Sequence, residues 1–135
     1  MKKEEKCRQL RIQLKNQELE VKSRHKRFLS EQGKATGTVK DIDRQGKKIV
    51  DVAGEAGIDI AVSMLPKWPR KTSMPGPVLS AIPNFFKLKQ AVQQYFQFWD
   101  EASRLENNAH MLKDLLKEAQ EEFTRLDGEI QRLGC

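Results

Sequence analysis

The sequence predicts an all-α protein: an antiparallel helical hairpin, or coiled coil, closed by a proline-rich connecting loop. Three observations carry this expectation. The C-terminal third places apolar residues at alternating steps of three and four, the first third repeats them every seven, and all five prolines fall from Pro66 to Pro83. A strict seven-residue repeat keeps one stripe against a partner only on helices that pair along their length.

The first arm, 1–65, opens as a helix over about 3–32. Cys7, Leu14, Val21 and Phe28 recur at steps of seven, with Leu10 three residues after Cys7. Writing the heptad as abcdefg puts these at a and d, and puts Gln17, Arg24 and Glu31 at the remaining d positions. Glu4 and Glu5 favour the helix start through the macrodipole. Ile12 and Leu19 form a smaller stripe on the opposite face. A helix with two apolar stripes usually touches two neighbours. Gly33 and Gly37, with the residues to position 38, are expected to interrupt the helix. Beyond them, 39–65 reads as helix again, with the step of seven continuing through Ala35, Ile42, Ile49 and Ala56 and with Asp51, Glu55 and Asp59 as an acidic stripe.

The loop, 66–83, follows from proline chemistry, since proline lacks the backbone N–H that a helix interior needs. The second arm, 84–133, has Asn84 as its expected N-cap and Gly134 as its stop. Its a and d positions run without a break through Leu88, Ala91, Tyr95, Phe98, Ala102, Leu105, Ala109, Leu112, Leu116, Ala119, Phe123, Leu126, Ile130 and Leu133. Antiparallel arms pair residues whose numbers have a constant sum. A sum of about 140 matches Leu14 with Leu126, Phe28 with Leu112 and Ile49 with Ala91, and centres the turn inside the proline loop. The whole chain then reads as one helical domain of 135 residues.

Six of the nine aromatic residues lie in 85–99, and Phe86 and Phe96 fall at outward positions of the heptad. A helix apolar on most of its circumference is normally buried on several sides. Either 39–83 folds around it as a small head, or another molecule covers it.

Composition limits the class of function. Charged residues make up 33% of the chain against about 25% in an average globular domain, which suits exposed helices. The net charge of +6 is uneven: +8 over 1–48, neutral over 49–83 and −2 over 84–135. No stretch reaches the roughly 18 uninterrupted apolar residues of a spanning helix, and the charged start from Met1 has no apolar leader, so the expected location is the cytoplasm. Two cysteines 128 residues apart, Cys7 and Cys135, read as two reduced thiols there. The hairpin register nevertheless sets Cys7 opposite Leu133, two residues from Cys135, where a mild oxidant would join them.

Chemistry-bearing motifs are sparse. Gly33-Lys34-Ala35-Thr36 lacks the leading glycine and the adjacent hydroxyl of a phosphate loop. His25 and His110 have no cysteine or histidine at ligand spacing, so no metal is expected. Nucleophile motifs are absent, and neither catalytic residues nor cofactors are assigned. Gly54-Glu55-Ala56-Gly57 suggests close packing inside the head. Arg70-Lys71-Thr72-Ser73 places basic residues before hydroxyls on the loop.

Three readings of function stay open. The leading one is a non-enzymatic interaction or scaffold module that binds a protein partner, or a second copy, through coiled-coil seams formed by Leu105, Leu112, Leu116, Phe123, Leu126 and Ile130. The second is contact with a membrane surface through 49–65 and the aromatic-rich 85–99, using Trp68, Phe85, Phe86, Phe96 and Trp99. The third is nucleic-acid binding through the basic first arm, with Lys22, Arg24, Lys26 and Arg27 meeting phosphates.

Overall fold

A computed structural model describes residues 2–70 and 72–135. It shows an all-α hairpin of two long helices, α1 (Lys3–Glu55) and α3 (Phe86–Leu133), with a short α2 (Gly76–Ala81) between them. Single 3-10 turns stand at Val62–Met64 and Ile82–Asn84. The chain divides into two compact units, one joining the segment through Gly33 to Glu106–Cys135, the other formed by Lys34–Leu105. Within each unit α1 and α3 pair antiparallel.

The expected interruption near 33–38 does not occur, and α1 runs through it without a break. Neither Gly33 nor Gly37 has any neighbour where a Cβ would sit, so these glycines serve no close approach. Each costs a helix interior about 1 kcal/mol relative to alanine. Burying Ile42 and Ile49, at the same a positions further along, returns about 1.5–3 kcal/mol each. Tertiary burial outweighs propensity here. Thr38 spends its hydroxyl locally, donating to the Lys34 carbonyl at 3.0 Å.

The helix expected to reach residue 65 ends instead at Glu55. Gly57 adopts φ +79°, its N–H bonds to the Gly54 carbonyl at 3.0 Å, and the Ile58 N–H bonds to the Ala53 carbonyl at 2.9 Å. These two bonds make a Schellman ending. The Gly54–Gly57 run therefore terminates a helix; a Cβ at either glycine would meet open space, which replaces the expected close packing. Asp59 consequently lies beyond the helix that carries Asp51 and Glu55.

In the Lys34–Leu105 unit, the segment after Gly57 folds back over the helix pair as a head. Ile60, Leu65, Met74 and Val78 join Ile42, Ile49, Leu88, Tyr95 and Trp99 in one buried cluster. The proline segment is only partly loop. Pro77 sits in the first turn of α2, where its missing N–H costs nothing, and Pro83 lies within the second 3-10 turn. Trp68 meets Trp99 edge to face, with centroids 5.3 Å apart. Asn84 does not cap α3; the Phe85 carbonyl accepts the Lys89 N–H at 3.1 Å.

Tyr95 ties the head to the helix pair. Its ring is 1% exposed and its hydroxyl donates to the carbonyl of buried Pro66. Burial, and then the charge of Asp43, push its pKa from 10.0 to about 12. Between these values the unfolded chain has lost the phenolic proton while the folded chain keeps it, so stability falls as pH rises from about 10 to about 12. The loss amounts to about 2–3 kcal/mol. Urea midpoints across this range, read by tryptophan fluorescence, should show the fall, and Tyr95→Phe should flatten it.

Candidate interaction surfaces

The unit that joins the segment through Gly33 to Glu106–Cys135 has a thin interior. Its buried side chains are Cys7, Leu10, Ala109, Leu116, Ala119 and Leu126. Polar d positions of α1 complete the pairing by reaching backbone. Gln17 Nε2 donates to the Ala119 carbonyl at 3.0 Å and Arg24 Nη1 to the Leu115 carbonyl at 2.6 Å. These partners fall within four residues of the expected sum of about 140.

The expected free thiols are instead joined: Cys7 and Cys135 form a disulfide with Cα atoms 5.9 Å apart. The geometry comes from the end of α3. Gly134 adopts φ +72°, its N–H bonds to the Gln131 carbonyl at 3.1 Å, and the Cys135 N–H bonds to the Ile130 carbonyl at 3.2 Å. This second Schellman ending turns Cys135 back towards α1. Arg11 Nη2 donates to the Cys135 carbonyl at 2.7 Å and holds it there.

The seam residues are occupied within the chain. Leu105, Leu116 and Leu126 are buried, and Leu112, Phe123 and Ile130 are half-buried. An outside partner would therefore need either another face or an opened hairpin. The aromatic set also divides. Trp99 is 3% exposed and belongs to the core, and Phe96 and Trp68 are half-buried against it. Of the five, only Phe85 and Phe86 face solvent, Phe86 at 71% exposure. The head covers the rest, so 85–99 presents no continuous aromatic surface.

The basic cluster divides as well. Arg24 is committed to Glu20 at 2.8 Å and to the Leu115 carbonyl, so it is a structural contact. Lys22 is exposed and meets Glu18 at 3.3 Å. Lys26 and Arg27 are exposed, Arg27 lining a shallow groove with Met111 and Leu112. In the Arg70–Ser73 run, Lys71 lies outside the described residues.

Apolar side chains remain uncovered on the outer face of α1. Ile12 is 56% exposed, Leu19 59% and Leu29 50%. Sequence periodicity identified Ile12 and Leu19 but missed Leu29, which stands at b rather than f. In the Lys34–Leu105 unit a groove of roughly 470 Å³ is floored by Gly46 and bounded by Val39, Lys47, Leu65 and Trp68. Among the described residues, no histidine, cysteine and carboxylate cluster fit to hold a metal is present, and no helix is long and apolar enough to cross a membrane. No family model, curated protein or solved structure matches the chain.

Proposed function

We propose that this protein is a non-enzymatic helical interaction module, working in the cytoplasm, that offers the outer face of α1 to a helical protein partner in the manner of a coiled coil. The observation that carries this reading is the stripe of Ile12 and Leu19, with Leu29 beside it. It stays exposed although the opposite face of the same helix is already buried on α3. Apolar residues two heptad turns deep, flanked by Lys15, Lys22 and Lys26, suit an amphipathic helix with acidic flanks. Ile12→Glu with Leu19→Glu should abolish partner capture in a crosslinking and mass-spectrometry experiment. Helicity and tryptophan fluorescence should stay unchanged, because both side chains face solvent in the free chain. Capture that survives the double substitution would remove α1's outer face from the interaction.

A second reading has its own observation. Phe85 and Phe86 are exposed beside Lys87 and Lys89, with Leu79 also exposed nearby in sequence. Aromatic residues next to lysines suit the interface of an anionic bilayer. Flotation with anionic vesicles, lost in Phe85→Ser with Phe86→Ser, is the result this reading expects.

A further inference from the structure

The two helices of the clasped unit are unequal partners. From Ala109 to Ile130 every a and d position of α3 is apolar, whereas α1 opposes it with Gln17, Arg24 and Glu31 at d. The pairing leaves Leu112, Phe123 and Ile130 only half-buried. An uninterrupted apolar seam packs better against another of its own kind than against a seam broken by polar residues. A second copy of α3 supplies such a seam.

Besides this thin interior and the Gln17 and Arg24 bonds to α3 backbone, α1 is tied to α3 by the bond between Cys7 and Cys135, which are 128 residues apart in sequence. Such a link removes much of the freedom of the open chain. Its setting favours exchange. Cys135 is exposed as a residue whereas Cys7 is buried, so the open approach to the bond is from the Cys135 side. Within four residues of Cys7 stand Lys3, Lys6, Arg8 and Arg11 against Glu4 and Glu5, a net positive surrounding, and positive charge stabilises a departing thiolate.

We propose that the Cys7–Cys135 disulfide is a redox-operated clasp over the α3 seam, and that its reduction frees the seam for a second copy of this chain. The reductant is a small-molecule thiol. Its thiolate attacks Sγ of Cys135, the sulfur–sulfur bond breaks, and the electron pair leaves on Sγ of Cys7, which takes a proton. A second reductant thiolate attacks the mixed disulfide and releases the Cys135 thiolate, which is protonated in turn. Two reductant thiols become one disulfide, and two electrons pass to the protein's cysteines. A disulfide oxidant reverses the exchange.

The opening is confined to one unit by the difference in their interiors. The clasped unit buries two alanines among its few core side chains, while Lys34–Leu105 buries Ile42, Ile49, Val78, Leu88, Tyr95 and Trp99. A sparsely packed segment opens at lower free energy than a densely packed one. This inference does not depend on the outer face of α1 and survives the failure of that reading.

The test compares the full chain, oxidised and in dithiothreitol, by backbone hydrogen exchange and light scattering. Reduction is expected to speed exchange over 10–30 by roughly tenfold or more, to leave 40–53, 88–102 and the newly paired 108–130 no faster than before, and to double the mass. Cys7→Ser with Cys135→Ser should do the same without reductant. Adding Leu116→Glu to that pair should restore the monomer, with the fluorescence of Trp68 and Trp99 reporting that the head stays folded. Unchanged exchange on reduction would make the disulfide a static staple and overturn the proposal. Faster exchange at constant mass would overturn a second copy as the occupant, and equal dimer in oxidised protein would overturn the gating.

Discussion

Tyr95→Ala is expected to destabilise the head by about 3–5 kcal/mol, the range for emptying an aromatic site in a packed core. The ring stands at the centre of the Lys34–Leu105 cluster, in contact range of Trp99 at a centroid distance of 5.9 Å and beside the position of Gly46. Its removal opens a cavity between α1 and α3 and orphans the buried Pro66 carbonyl at the same time. Tyr95→Phe separates these effects. It keeps the ring and loses only the hydrogen bond, at about 1–3 kcal/mol for an unsatisfied buried carbonyl. Both tryptophans of the chain lie in the Lys34–Leu105 unit, Trp68 in the head and Trp99 on α3 beneath it, so urea unfolding followed by their fluorescence reads this unit directly. Equal losses for the two variants would show that the hydroxyl, and not the packed ring, holds the head.

Leu116→Asp is expected to melt the clasped helix pair, whereas Lys113→Asp should shift its stability by no more than about 0.5 kcal/mol. Leu116 is the largest fully apolar side chain in the middle of that unit's thin interior, and Lys113, one turn away, is exposed. The substitution removes a packed leucine, worth about 2–5 kcal/mol by truncation, and places a carboxylate in the interior beside Arg24, whose guanidinium is already committed to Glu20 and the Leu115 carbonyl. The expected readout is a loss of helical circular dichroism with the disulfide intact and with tryptophan fluorescence unchanged. Similar melting curves for the two variants would mean that the heptad frame assigned to α3 is displaced.

The sequence by itself determined the features that depend on local chemistry and on period. The unbroken a and d positions of α3 required a long helix with a partner along its length, and the prolines required a reversal between 66 and 83. Gly134 stopped α3 because only a residue without a Cβ adopts its positive φ cheaply. A constant-sum register then placed Cys7 near Cys135 from numbering alone. The tertiary structure decided whatever depended on competition between local preference and burial. Gly33 and Gly37 argued for a break, yet the burial of Ile42 and Ile49 carried α1 through them. Gly57, rather than a proline, ended that helix, because the chain had to turn back there to bring Ile60 and Leu65 onto the core. In one dimension Trp99 was a candidate membrane contact and Arg24 a candidate phosphate contact. The head covered the first, and the Leu115 carbonyl, supplied by the other arm, claimed the second; a contact 91 residues away leaves no trace in local periodicity.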